Sequence, residues 1–138
     1  MILFHSIHDF ELKEKATIEA WLSEIIKTEK KTIGEINYIF CDDAYLLEIN
    51  RKYLDHDTYT DIISFDYTQG NCISGDIYIS TERVAENAVN FKTSFDNELH
   101  RVMAHGILHY CGYKDKSAEE QKIMRQKEDS YLARILEV

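Results

Sequence analysis

The hydrophobic period of this chain switches repeatedly between two and about three and a half, and that alternation limits the folds open to it. Residues 2–7 alternate as a strand does. Across residues 11–30, Leu12, Ala16, Leu22, Ile25 and Ile26 recur at helical spacing, with Asp9 placed to cap the start and Gly34 to end the segment. The run 35–41 sets Ile36, Tyr38 and Phe40 against Asn37, Ile39 and Cys41, a strand pattern. Asp42 or Asp43 then caps a helix to about Tyr53. Two strand-like runs, 62–67 and 73–80, flank the turn signal TQGN and read as a hairpin. Thr81 caps a helix to about Phe91, and a further helix runs from about Ser94 to Cys111 with Gly112 in the C′ position. Ser117 and Glu120 match a capping box that opens a last helix with a stripe of Ile123, Met124, Lys127, Tyr131 and Ile135. The expected fold is α+β, a small mixed sheet of about four strands packed with about five helices, in a single domain over 1–138.

Composition narrows the class. At 138 residues the chain can bury roughly two-thirds of its unfolded surface without a disulfide or metal staple. Hydrophobic residues at 44% and charged ones at 30% are a globular balance. No apolar run approaches the ~18 residues of a membrane span, and the N-terminus lacks the basic and apolar regions of a signal peptide. Cys41, Cys72 and Cys111 form no CxxC pair. Together these features predict a cytoplasmic protein with no membrane partner. The 25 acidic residues against 16 basic ones, a net charge of −9, argue against general coating of DNA, which counterion release favours for a basic surface. A local metal-bearing or basic cleft for RNA remains compatible with that charge.

The chemistry concentrates in His105-Gly-Ile-Leu-His109-Tyr-Cys-Gly-Tyr-Lys-Asp115. Histidines at i and i+4 stack on one helix face, so both imidazoles can reach one ion. A helix break at Gly112 lets the chain swing back, and a residue near 115 can supply a third ligand. Three protein ligands and an open position are the arrangement of a catalytic zinc site. The H-E-x-x-H peptidase motif needs glutamate after the first histidine, and here that residue is Gly106. The same glycine lets another segment or a substrate approach the helix closely.

These residues resemble the YbeY family of bacterial endoribonucleases, whose hallmark reads His-Gly-x-Leu-His-Leu-x-Gly-Tyr-Asp-His. His105, Gly106, Leu108, His109, Gly112 and Tyr113 match it in register. Asn50-Arg-Lys-Tyr53 followed by Asp57, the strand Thr60-Asp-Ile-Ile-Ser-Phe65 and Gly75-Asp-Ile77 resemble further family segments in the same order.

The resemblance implies a zinc-dependent, single-strand-specific endoribonuclease of ribosomal RNA maturation, acting near the 3′ end of the small-subunit RNA and in ribosome quality control. It implies a ribosomal protein or small GTPase as delivery partner. His105 and His109 would be metal ligands, and Asp115 falls where the family usually has a third histidine. An aspartate there adds negative charge and should make bound water less acidic. Leu54 stands where the family usually has an arginine, and Arg51, three residues earlier, is the candidate to clamp phosphate in its place. Asp76, and likewise Ser64, would orient a ligand or the water. The competing readings are a metal-dependent hydrolase of peptides or small substrates and a non-catalytic, ribosome-associated zinc-binding module.

Overall fold

In the computed structural model, which describes residues 1–56 and 59–135, four strands and five helices alternate along the chain. They are β1 (Ile2–Ser6), α1 (Lys15–Thr28), β2 (Thr32–Cys41), α2 (Asp43–Leu54), β3 (Ile62–Asp66), β4 (Cys72–Ser80), α3 (Thr81–Asn90), α4 (Phe95–Tyr110) and α5 (Ala118–Ile135). The sheet order is β1-β2-β4-β3. β1, β2 and β4 are parallel, and β3 returns antiparallel on β4 as the hairpin reading requires. The α+β class, the mixed four-stranded sheet and the five helices are those expected from the sequence.

Strand alternation divides the side chains between two faces. Ile36, Tyr38 and Phe40 of β2 and Ile73, Ile77 and Ile79 of β4 enter the main core, where they meet Trp21, Leu22 and Ile25 of α1 and much of α4. The opposite face carries a smaller cluster of Cys41, Leu46, Ile49 and Ile63 beneath α2, joined by Phe65 and Tyr78. Helix α4 lies on the main face. An ideal Cβ on Gly106 would stand 3.0 Å from Ile77 Cδ1 and 3.3 Å from Ile62 Cδ1, so the helix backbone approaches the sheet as glycine allows. Two hydroxyls fix its height: Tyr38 of β2 donates to the Met103 carbonyl at 2.7 Å, and Tyr110 of α4 donates to the Phe65 carbonyl at 2.8 Å.

Helix starts follow side-chain capping. Asp42 accepts from the Tyr45 amide at 2.8 Å, and Ser94 accepts from the Asn97 amide at 3.0 Å. Ser117 and Glu120 form the reciprocal capping box, at 2.9 and 3.1 Å.

Four sequence expectations are corrected. The cap of α3 is Ser80, whose hydroxyl accepts from Arg83 N; Thr81 is already helical. Helix α1 begins at Lys15 rather than near residue 11, because Leu12 buries its side chain from a loop and gives the apolar period without helical backbone. That helix ends at a left-handed Lys30 with Lys31 N bonded to Ile26 O, and Gly34 lies inside β2. On α5, Ile123 is exposed, and the buried stripe is Met124, Glu128, Tyr131 and Leu132.

Tyr38→Phe removes the donor that the sheet aims at α4, and its net worth is about 1 kcal/mol. Urea unfolding should therefore show a loss of that size with an unchanged slope, whereas an unchanged midpoint would contradict this anchoring.

Candidate metal centre

Helical spacing places His105 and His109 on one face of α4, one turn apart. The helix closes at Cys111, and the Gly112 and Tyr113 amides bond back to His109 O and Leu108 O, each at 3.0 Å. Gly112 takes φ 108°, a conformation open to glycine. The chain then turns so that Asp115 faces the histidines.

Three ligand atoms converge as a result. His105 Nε2 and His109 Nε2 are 3.0 Å apart, and Asp115 Oδ2 lies 3.1 Å from the first and 3.3 Å from the second. A tetrahedral zinc ion with bonds of about 2.0–2.2 Å would hold its ligand atoms roughly 3.3–3.6 Å apart. The triangle is slightly tighter and has the right shape. His105, His109 and Asp115 could together hold one metal ion.

Behind the ligands stands a carboxylate absent from the sequence reading. His105 Nδ1 donates to Glu128 Oε2 at 2.7 Å, which leaves Nε2 as the lone-pair nitrogen facing the cluster. Glu128 is only 5% exposed and accepts in turn from Arg101 Nη1 at 3.0 Å. Arg101 also pairs with Asp129 at 2.7 Å. Burial pulls the His105 pKa down, but the Glu128 bond and charge, with Asp115 and Asp61, outweigh it and raise it. An anionic field strong enough to do this favours a cation at Nε2. The sequence carried a signal for Glu128, a glutamate on the buried stripe of α5, where a charge needs a partner.

A cavity of about 590 Å³ opens in front of the cluster. Ser64 and Asp61 line it from the β3 side, Asn87 and Phe91 from α3, and Gln121 and Arg125 from α5. Burial raises the carboxyl pKa of both Asp61 and Glu98, which also lines the cavity.

The structure does not bring Asp76 and Arg51, expected from the sequence to act at the site, to the cluster. On β4 the inward residues are Ile77 and Ile79, so Asp76 points to the opposite face, where it accepts from Asn37 Nδ2 at 3.2 Å and lines a groove with Tyr45, Tyr53 and Phe65. Arg51 rides on α2 over that same second face, 4.0 Å from Glu48. Leu54 is exposed at the end of α2. Asp57 lies outside the described residues.

The turn carrying Asp115 is tied down at its start. Tyr113 donates to Glu29 Oε1 at 2.6 Å, Lys127 donates to Glu29 Oε2 at 3.3 Å, and Tyr131 donates to the same carboxylate. Burial pushes the Glu29 carboxyl up, but these three donors together hold it below its ordinary 4.5.

A family model described as Endoribonuclease YbeY matches residues 5–136. Endoribonuclease YbeY of Flavobacterium psychrophilum is 61% identical over 132 residues, covering 96% of this chain and 94% of that protein. The Flavobacterium johnsoniae protein of the same name is 59% identical over 133 residues, 96% of each chain. A Parabacteroides distasonis relative of that name is 47% identical, over 96% of this chain and 95% of its own. The solution structure of a Thermotoga maritima protein superimposes with a TM-score of 0.69 at 28% identity, covering 98% of this chain and 89% of that one.

Two outcomes are expected. Glu128→Gln should weaken zinc binding about 10- to 100-fold in competition with a chromogenic chelator, and unchanged affinity would contradict its role behind His105. Glu29→Gln should lower stability by roughly 1–3 kcal/mol, the worth of hydrogen bonds to a charged group. Because the folded pKa lies below the ordinary 4.5, that contribution is fully present above 4.5 and is lost as pH falls through the folded value. Urea midpoints of the two proteins should therefore converge in acid; a gap constant down to pH 3 would contradict this.

Proposed function

This chain belongs to the YbeY endoribonuclease family, and on that premise we propose that it is a zinc-dependent, single-strand-specific endoribonuclease of ribosomal RNA maturation. Residues 1–138 form one such hydrolase domain, working in the cytoplasm. The observation that carries the metal reading is the convergence of His105 Nε2, His109 Nε2 and Asp115 Oδ2 at the mouth of a cavity. Bound there, zinc would supply a Lewis acid for a phosphoryl oxygen and an acidified water, the chemistry of sites with three protein ligands.

The chain's own residues have separable parts. Glu128 fixes the His105 tautomer and ring, and Arg101 compensates the buried Glu128 charge. Arg101 is engaged by two carboxylates, so the phosphate-clamping part that Arg51 does not reach passes to Arg125. Arg125 lines the cavity, is exposed, and touches Glu128 only at 3.9 Å. A planar guanidinium in that position suits a phosphodiester. A peptidase reading is disfavoured because Gly106 stands where that chemistry needs a glutamate base. The net charge of −9 supports delivery of the RNA by a partner, a ribosomal protein or a small GTPase.

Chelation should abolish cleavage of a single-stranded RNA carrying the 3′ end of small-subunit ribosomal RNA, and added zinc should restore it. His109→Ala should lower kcat/KM by about 100-fold or more, because a metal held by two ligands is lost. Chelator-resistant cleavage, or full activity in His109→Ala, would overturn the reading. Zinc binding without cleavage of any RNA would favour the binding module instead.

A further inference from the structure

The cavity in front of the cluster has an aromatic wall that the metal chemistry leaves unused. Phe91 ends α3, lines this cavity and is 61% exposed. A phenyl ring left in water at the rim of a reaction cleft contributes nothing to the core, and among the described residues no other ring stacks on it. Its backbone is nevertheless rigid. Phe91 N bonds Asn87 O at 2.9 Å, Lys92 N bonds Val89 O at 3.2 Å, and Thr93 N bonds Ala88 O at 3.0 Å around a left-handed Lys92. The ring therefore stands on a helix end closed by hydrogen bonds, a fixed platform.

We propose that Phe91 is a base-stacking residue of the substrate cleft, receiving an unpaired nucleobase of the RNA next to the phosphodiester held between the cluster and Arg125. The inference rests on the endoribonuclease reading above and names the residue that would read single-strandedness. An aromatic face on one wall and an arginine on the other are the parts with which proteins grip unpaired nucleotides. A paired base has both faces covered in a duplex and cannot offer one to the ring. The cavity volume of about 590 Å³ falls within the roughly 300–1,000 Å³ of small-ligand sites. Its charge orders the substrate. Asp61 and Glu98 repel phosphate from the cavity interior, so the backbone follows the wall of Arg125 and the cluster, and the base is turned toward α3. There Asn87, one helical turn before Phe91, also lines the cavity, its side-chain amide donating to Asp61 Oδ2 at 3.4 Å.

The test is clean because an exposed side chain can be changed without unfolding the protein. The zinc-loaded chain is assayed as wild type, Phe91→Ala and Phe91→Trp on a short single-stranded RNA. Phe91→Ala should raise KM about five- to tenfold, the low end of the loss when base–aromatic stacking is removed, with kcat, zinc content and melting temperature unchanged. Phe91→Trp should keep KM within about twofold of wild type. The chain's one tryptophan, Trp21, is buried, with its indole donating to the Tyr131 carbonyl, so the difference from the wild-type emission reports the new exposed indole. Its fluorescence should be quenched by the single strand and not by the same sequence in a duplex. An unchanged KM in Phe91→Ala while the wild type cleaves RNA overturns the stacking role and leaves the endoribonuclease reading standing. Equal quenching by duplex overturns it as well. A zinc-loaded wild type that cleaves no RNA defeats both together.

Discussion

The close docking of α4 on the sheet is the constraint from which the rest of the site follows. The helix backbone at Gly106 comes so near Ile77 and Ile62 that even a methyl group would make their side chains give by a few tenths of an ångström. The hydroxyls of Tyr38 and Tyr110 then hold the helix to the sheet through two bonds to main-chain carbonyls. With the axis fixed in this way, His105 and His109 are fixed along the helix edge that looks into the cavity. The Glu29 clamp on Tyr113 sets the turn beyond it. The ligand triangle is thus built from two rigid parts, a packed helix and a tied turn, and α5 supplies Glu128 behind it. Such preorganisation keeps ligand atoms in place at little entropic cost on binding.

Electrostatics pulls in the same direction. Glu128 and Glu98 are each 5% exposed, and Asp61 and Asp115 face the same cavity. Burial raises the carboxyl pKa of Asp61 and Glu98, and Arg101 pairs with Glu128 at 3.0 Å. Two carboxylates are directed at the His105 imidazole, Asp115 in front and Glu128 behind. That is a field suited to a divalent cation. An aspartate in the third position keeps it more anionic than a third imidazole would.

Much of this was legible from the residues. Period and capping signals locate the strands and helices, and the spacing of His105, His109 and Gly112 brings a residue near 115 back to the two histidines, as the structure does with Asp115. Side-chain direction was the harder part. The alternation of Ile77 and Ile79 already assigns Asp76 to the other face, but that follows only once the face packed by α4 is known. Arg51 is carried on α2, which packs on the other face of the sheet, and no local pattern encodes that. Glu128 was hidden because α5 presents it on a stripe otherwise apolar, and its reason for being there is a histidine 23 residues earlier. The false helix start near residue 11 has a similar origin, since Leu12 is buried by tertiary contact rather than by helical period.

The central claim, a three-residue metal site on α4 and the following turn, is tested most directly by native mass spectrometry of the zinc-supplied protein and its His109→Ala and Asp115→Ala variants. The account predicts one zinc per wild-type chain and none retained in either variant. A wild type that takes up no zinc, or an Asp115→Ala chain that keeps it, would contradict the account.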